Sequence, residues 1–211
     1  MLDKNRLKLK YGDTKIMAIH NDDITATMDI SHFKDGFMHK MYVLNMQKLF
    51  KNVSYLYRYD AEVDSDYKQP IPYVIFYHRP TKRFFYTERM QGDERLVGRK
   101  SLGIGGHVND QEEFTSCLYR EIKEEIGLRK EQIVDLSFKG FLLDSSNEVG
   151  SVHLGFLYLA LIDTDAVYCR EKDTLKGGFA TLDELCKMAE HNEFETWSSI
   201  ALKECILKEK F

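Results

Sequence analysis

The chain has 211 residues, 43% of them hydrophobic and 30% charged, enough for one sizeable core with an added subdomain. Its formal net charge of −4 gives no electrostatic case for general nucleic-acid binding, and no apolar run approaches the ~20 residues that a membrane span needs. Cys117, Cys169, Cys186 and Cys205 lie far apart and make no CxxC pair; with a charged N-terminus that lacks an apolar h-region, this points to a reduced, cytoplasmic protein.

Residues 1–13 are polar and read as irregular. Lys15–His20 alternates weakly, as a short strand does, and Asn21-Asp22-Asp23 is a turn signal. Between residues 37 and 50, Phe37, Met41, Leu44, Met46, Leu49 and Phe50 make a loose helical pattern. Together with Met38, this Met-rich stretch suits a core or a dimer interface. Val53–Tyr59 alternates as a strand. Ala61–Gln69 is acidic and polar and reads as a loop. Pro70, Pro72 and Pro80 bracket a strand at Tyr73–Tyr77 and open a turn at Arg79–Lys82, from which Arg83–Thr87 returns. This hairpin begins the main domain, residues 71–211. Residues 1–70 read as an N-terminal extension docked on it, because no flexible linker intervenes.

Gln91–Lys100 carries Arg95, Arg99 and Lys100, candidate phosphate contacts. Gly103, Gly105 and Gly106 follow. Glycines let backbone approach a metal or a phosphate closely, although a tight turn uses them equally well. His107 suits either a cleft lining or a satisfied structural position.

A helix is expected next. Asp110 can N-cap it with Glu113 three residues on, and Gly127 supplies a left-handed C-terminal residue. At about 100° per residue, Phe114, Cys117, Leu118, Ile122 and Ile126 cover one arc that should face the core. Glu121 falls inside that arc, Glu125 almost beside Leu118, and Glu124 just past the edge. Crowded, partly buried carboxylates repel and lose hydration. Arg120 and Lys123 point elsewhere on the wheel, so a bound cation is the economical partner. Hard oxygen ligands select Mg²⁺, Mn²⁺ or Ca²⁺.

Leu136–Leu143 and Ser151–Leu161 are apolar enough for two strands, joined by a turn-rich Asp144–Gly150 that carries Glu148. Asp163–Gly178 reads as a long loop with Glu171. Leu182–His191 reads as a helix, and a final helix from about Glu195 to Lys208 is anchored by Trp197.

The spacing of Gly106, Glu112, Arg120-Glu121-Ile122, Glu124-Glu125 and Gly127-Leu128 resembles the Nudix box at every defined position, with Ile104-Gly105-Gly106 where many members have Pro-Gly-Gly. The resemblance implies an α/β fold, an α/β/α sandwich with a mixed sheet. It implies a hydrolase that cleaves the pyrophosphate bond of a nucleoside diphosphate linked to another moiety, a small-molecule substrate. It also implies Mg²⁺ as cofactor, for which Mn²⁺ substitutes. Glu121, Glu124 and Glu125 would hold the metal with the Gly106 carbonyl; Glu121 is also a candidate base. Arg120 and Glu112 would fix loop and helix. A further acid from downstream would be Glu171, with Glu148 as its rival. Two other readings are a non-hydrolytic nucleotide sensor of the same fold and an isopentenyl diphosphate isomerase-like enzyme. The first would be favoured by lost box acids, none of which is lost; the second needs a catalytic cysteine that cannot be placed. The surplus Met-rich stretch suggests a homodimer.

Overall fold

The computed structural model describes residues 3–28, 35–43, 45–91, 97–170 and 173–209. The N-terminal elements are α1 (Lys4–Tyr11), β1 (Lys15–His20), α2 (Asn21–Thr25), β2 (Gly36–His39), α3 (Met46–Leu49), β3 (Ser54–Tyr57) and α4 (Arg58–Ala61). There follow β4 (Tyr67–His78), β5 (Arg83–Arg89), β6 (Lys100–Ser101), β7 (Gly103–Ile104), α5 (Phe114–Ile126), β8 (Ile133–Leu143), β9 (His153–Ile162), β10 (Leu175–Ala180), α6 (Leu182–Glu190) and α7 (Thr196–Glu204). No described helix is long and apolar enough to cross a membrane.

The sheet is mixed, ordered β10-β5-β4-β9-β8-β2. Its centre is β4, parallel to β9 from Gln69 opposite His153 to His78 opposite Ile162. Because strand side chains alternate between faces, β4 serves two layers. Tyr73, Ile75 and Tyr77 pack with Leu185 of α6 and Ala201 and Leu202 of α7. Val74 and Phe76 pack with Leu118, Ile122 and Ile126 of α5. Helices therefore cover both faces, and the expected α/β/α sandwich is what forms. Each fully buried Ile, Leu or Phe in these layers contributes about 1.5–3 kcal/mol relative to exposure.

β4 is longer than Tyr73–Tyr77 and runs straight through Pro70 and Pro72. On the edge away from β9, its ladder partners are β1 at residues 67 and 68, β7 at 74 and 75, and β5 at 77 and 78. The two prolines fall in the gap between these ladders, where a missing N–H removes no bond.

The N-terminal residues join this sheet. β1 pairs with β3 and β4, and β2 pairs with β8. Ile19, Ile24, Met28, Met38 and Leu49 form one buried cluster with Phe141, Leu154 and Phe156. The expected helical stretch at 37–50 is instead β2, a single 3-10 turn at Lys40–Tyr42, and the short α3. Pairing with β8 overrides the weak periodicity. Leu44 lies outside the described residues, and Met41 is 71% exposed. The turn at Asn21-Asp22-Asp23 is a short helix, α2, and the loop from Ala61 ends at β4.

The long loop expected at 163–178 gives way at Leu175 to the strand β10, paired with β5. Its Gly177-Gly178 pair reads as loop, yet a Cβ at Gly177 would lie 2.6 Å from the Phe85 ring and one at Gly178 would lie 2.9 Å from Tyr86 Oη. Aromatic side chains of β5 occupy that space, and glycine lets the strand lie against them. The last helix stops at Glu204, and a 3-10 turn at Ile206–Lys208 completes it. Trp197 packs on the α6/α7 layer and meets the Tyr73 ring edge-on at 5.6 Å.

Candidate active site

Two adjacent glycines set the loop after β7, for different reasons. A Cβ on Gly105 would lie 1.8 Å from the Pro72 carbonyl oxygen, so the loop backbone lies against β4 in its proline gap. A Cβ on Gly106 would lie 2.3 Å from Glu121 Oε1 and 2.4 Å from Cδ. The backbone of Gly106 therefore abuts the Glu121 carboxylate, a close approach that only glycine permits. The loop then crosses to the N-terminal segment: the Met17 N–H donates to the Val108 carbonyl at 2.8 Å, and the Asp110 N–H to the Lys15 carbonyl at 3.1 Å.

The helix itself starts later than its cap signal suggests. α5 begins at Phe114, its N-cap is Glu113, and no side chain caps it, so Asp110 and Glu113 form no capping box. Gln111, at φ +59°, turns the chain first. Glu112 takes a different job: its Oε2 accepts the Asn109 N–H at 2.9 Å, and both its oxygens meet Arg120. The apolar arc behaves as expected, with Cys117, Leu118, Ile122 and Ile126 buried and Phe114 half-buried. Gly127 ends the helix at φ +71°, its N–H donating to the Lys123 carbonyl.

Arg120 does not point away from the glutamates. Its Nε and Nη2 donate to Glu112 at 2.7 and 2.9 Å, and its Nη1 to Glu121 Oε1 at 2.6 Å and Glu124 Oε2 at 3.1 Å. Nη2 also donates to the His107 carbonyl at 3.0 Å. A helical wheel gives the angle of a Cα, whereas a guanidinium on a long stem reaches round it. Glu112, Glu121 and Glu124 thus have a cationic partner before any metal is considered. The balance still differs among them. The Glu121 side chain is 14% exposed, and burial raises its carboxyl above the ordinary range despite Arg120. The Arg120 hydrogen bond draws Glu112 below it. Glu124 is exposed and Glu125 half-buried. Burial pushes the Cys117 thiol up to about 12, so it stays a thiol donor facing the Gly106 and His107 carbonyls.

One turn round the helix lies a cleft of about 600 Å³ lined by Ser116, Tyr119, Arg120, Lys123, Glu124 and Arg170. Arg170 is a residue that sequence spacing did not single out. Its N–H donates to the Glu125 carbonyl at 2.8 Å, and its Nη1 to the Lys123 carbonyl at 3.3 Å. It thereby completes carbonyls at the C-terminal turn of α5 and holds a positive charge at the negative end of the helix. The sequence signal was there, a basic residue directly before Glu171, but nothing in spacing tied it to this helix.

The other predicted site residues are elsewhere or out of view. Arg99 donates to the Asn192 carbonyl, and Lys100 forms an ion pair with Glu193, so both side chains are engaged at the turn before α7. Arg95 and Glu171 lie outside the described residues. Glu148 is exposed in the loop between β8 and β9. His107 Nε2 meets His153 Nε2 at 3.1 Å.

The family model described as the NUDIX domain matches residues 68–200. Protein YmaB of Bacillus subtilis (strain 168) is 36% identical over 155 residues, covering 69% of this chain and 74% of that protein. Among solved structures, the fold is similar to Tm1382, a candidate Nudix hydrolase, with a TM-score of 0.69 and 30% identity over 89% of this chain and 96% of the other. It is also similar to DR0079 from Deinococcus radiodurans, with a TM-score of 0.53, at 12% identity over 65% of this chain and 82% of the other.

Proposed function

Because this chain belongs to the Nudix family, we propose that it hydrolyses the pyrophosphate bond of a nucleoside diphosphate linked to another moiety, with Mg²⁺ as cofactor and Mn²⁺ as substitute. The observation that carries this reading is the contact between the Gly106 backbone and the Glu121 carboxylate. It sets a carboxylate, a hard oxygen donor of the kind that selects Mg²⁺, against the backbone of the glycine loop. Glu121, Glu124 and Glu125 would hold the ion with the Gly106 carbonyl. When bound, such an ion neutralises phosphate charge and lowers the pKa of a coordinated water.

The chain's own groups do the rest. Arg120 keeps Glu121 aimed at the loop by pinning Glu112 and the His107 carbonyl at the same time. Arg120, Lys123 and Arg170 put positive charge along the cleft, where a diphosphate needs it. Arg99 and Lys100 stay in the reading as phosphate contacts that a substrate would draw from the Asn192 carbonyl and from Glu193, and Arg95 stays in it as a proposed third contact. Residues 1–70 act as an extension docked on the 71–211 domain, although β4 spans both sides of that boundary. The free thiols, three of them buried, support a cytoplasmic setting.

The test is a panel of NDP-sugars, dinucleoside polyphosphates, NADH, CoA, ADP-ribose and (d)NTPs with Mg²⁺. Release of a monophosphate from one class supports the reading. A thermal shift with no product would make the protein a sensor, and an intact but rearranged diphosphate would make it an isomerase.

Two expectations attach to this reading. Glu171→Gln should reduce turnover at least ~10-fold at saturating Mg²⁺, and Glu148→Gln less. The support is that Arg170, the neighbour of Glu171, is bonded to the last turn of α5, whereas the exposed Glu148 lies in the loop between β8 and β9. The reverse order of effects would transfer the role to Glu148. The protein should also scatter light as a homodimer at micromolar concentration. Met38 and Leu49 cover the chain's own core, so the exposed Met41 carries that expectation, and a monomer would end it.

A further inference from the structure

We propose that Glu62, His107 and His153 form a second, chemically distinct metal site that takes Zn²⁺ and clamps the N-terminal segment to the glycine loop. One ligand atom from each residue lies within 4.8 Å of the others. Glu62 follows α4, His107 follows Gly106, and His153 opens β9, so the three come from parts of the chain that only the fold unites. Two imidazoles and a carboxylate are a donor set that suits Zn²⁺ and leaves a fourth position for water. The oxygen ligands proposed around Glu121 would suit Mg²⁺ instead.

The ligands are already oriented. His153 Nδ1 donates to the Val149 carbonyl at 2.6 Å, which leaves its Nε2 lone pair facing His107 Nε2 at 3.1 Å. A backbone acceptor on the far nitrogen is the arrangement that fixes a metal-binding histidine. His153 is buried and His107 half-buried, so neither imidazole is freely solvated. Glu62 is held by Arg58, whose Nε donates to its Oε1 at 3.3 Å.

A separate observation points to the fourth ligand. Gln69 is 1% exposed and sits opposite His153 in the parallel ladder. Its Nε2 donates to the carbonyl of Ala61, next to Glu62, at 3.0 Å. Its Oε1 is buried with no hydrogen-bond partner among the described residues. A buried, unpaired amide oxygen is costly. A water held by the metal would give that oxygen a donor, so one ion would both gather the three ligands and satisfy Gln69.

Untagged full-length protein should retain or take up one Zn²⁺ per chain, measured by elemental analysis after dialysis, and millimolar Mg²⁺ should not displace it. Co²⁺ in its place should give the visible absorption of a four-coordinate site. Glu62→Gln and His107→Gln should each abolish uptake at micromolar Zn²⁺ while still giving a cooperative melt. Gln69→Leu should weaken affinity at least about 10-fold. Glu125→Gln should leave Zn²⁺ uptake unchanged, which separates this site from the Mg²⁺ site. Wild-type protein that neither holds nor binds Zn²⁺, or Glu62→Gln and His107→Gln proteins that bind it as tightly as wild type, would overturn the assignment.

Discussion

Gly106→Ala should fold normally yet lose at least ~100-fold in metal-dependent hydrolysis, while Gly105→Ala should lose stability first. The two glycines are neighbours, but an added methyl meets different things. At Gly106 it meets the end of the Glu121 side chain at 2.3 Å, which can swing aside for about 0.5–1.5 kcal/mol of rotamer strain. What swings aside is the proposed metal ligand, and a displacement of about 1 Å at a reacting centre costs on the order of 100-fold. At Gly105 the methyl meets the Pro72 carbonyl oxygen at 1.8 Å, which is backbone of the central strand and cannot move alone. Overpacking of that kind costs about 1–3 kcal/mol or more. Thermal melts with and without Mg²⁺ read both outcomes without a known substrate. An ion at a hundred times its dissociation constant adds about 2.7 kcal/mol; wild type should show that gain, and Gly106→Ala and Glu121→Gln should not. A Gly106→Ala protein with full activity and a full Mg²⁺ shift would remove Glu121 from the metal site.

The site's outline was legible because its residues are local. Gly106 to Leu128 is one loop and one helix, so fixed spacing translates directly into shared space, and Gly127 signals its own left-handed cap. What was hidden depends on partners distant in the chain. Pro70 and Pro72 read as strand ends because a proline usually breaks a ladder, and only the gap between β1 and β7 on that edge makes them harmless. Gly177 and Gly178 read as loop because the Phe85 and Tyr86 rings that fill their space lie on another strand. The reach of Arg120 was missed because angular position on a helix says nothing about a flexible stem. Glu62, His107 and His153 have no spacing signature at all; the parallel pairing of β4 with β9 and the return of α4 to the sheet create their proximity.

Arg120→Ala should cost about 2–3 kcal/mol, less than the 3–5 of a fully buried pair because its side chain is 27% exposed, and roughly 4–12 °C in Tm for a chain of this size. One guanidinium satisfies both oxygens of Glu112, one of Glu121 and one of Glu124, and holds the His107 carbonyl. Its removal leaves Glu112 and Glu121, 15% and 14% exposed, as neighbouring carboxylates without a cation. Arg120→Lys should recover less than half, since an ammonium cannot reproduce the fork. The pH dependence identifies the cause. Glu112 is depressed in the folded state, so its contribution is present above its unfolded value and lost as pH falls through the folded one. Glu121 is raised, so its ionisation costs stability above its folded value and that cost disappears on acidification. Without Arg120 the first contribution is absent and the second cost is larger, and both differences fade as the carboxylates protonate. The gap in unfolding free energy between wild type and Arg120→Ala should therefore be widest near about pH 7 and shrink towards about pH 4. A gap that stays constant over that range, measured by denaturant titration at each pH, would mean that Arg120 acts by packing rather than by charge.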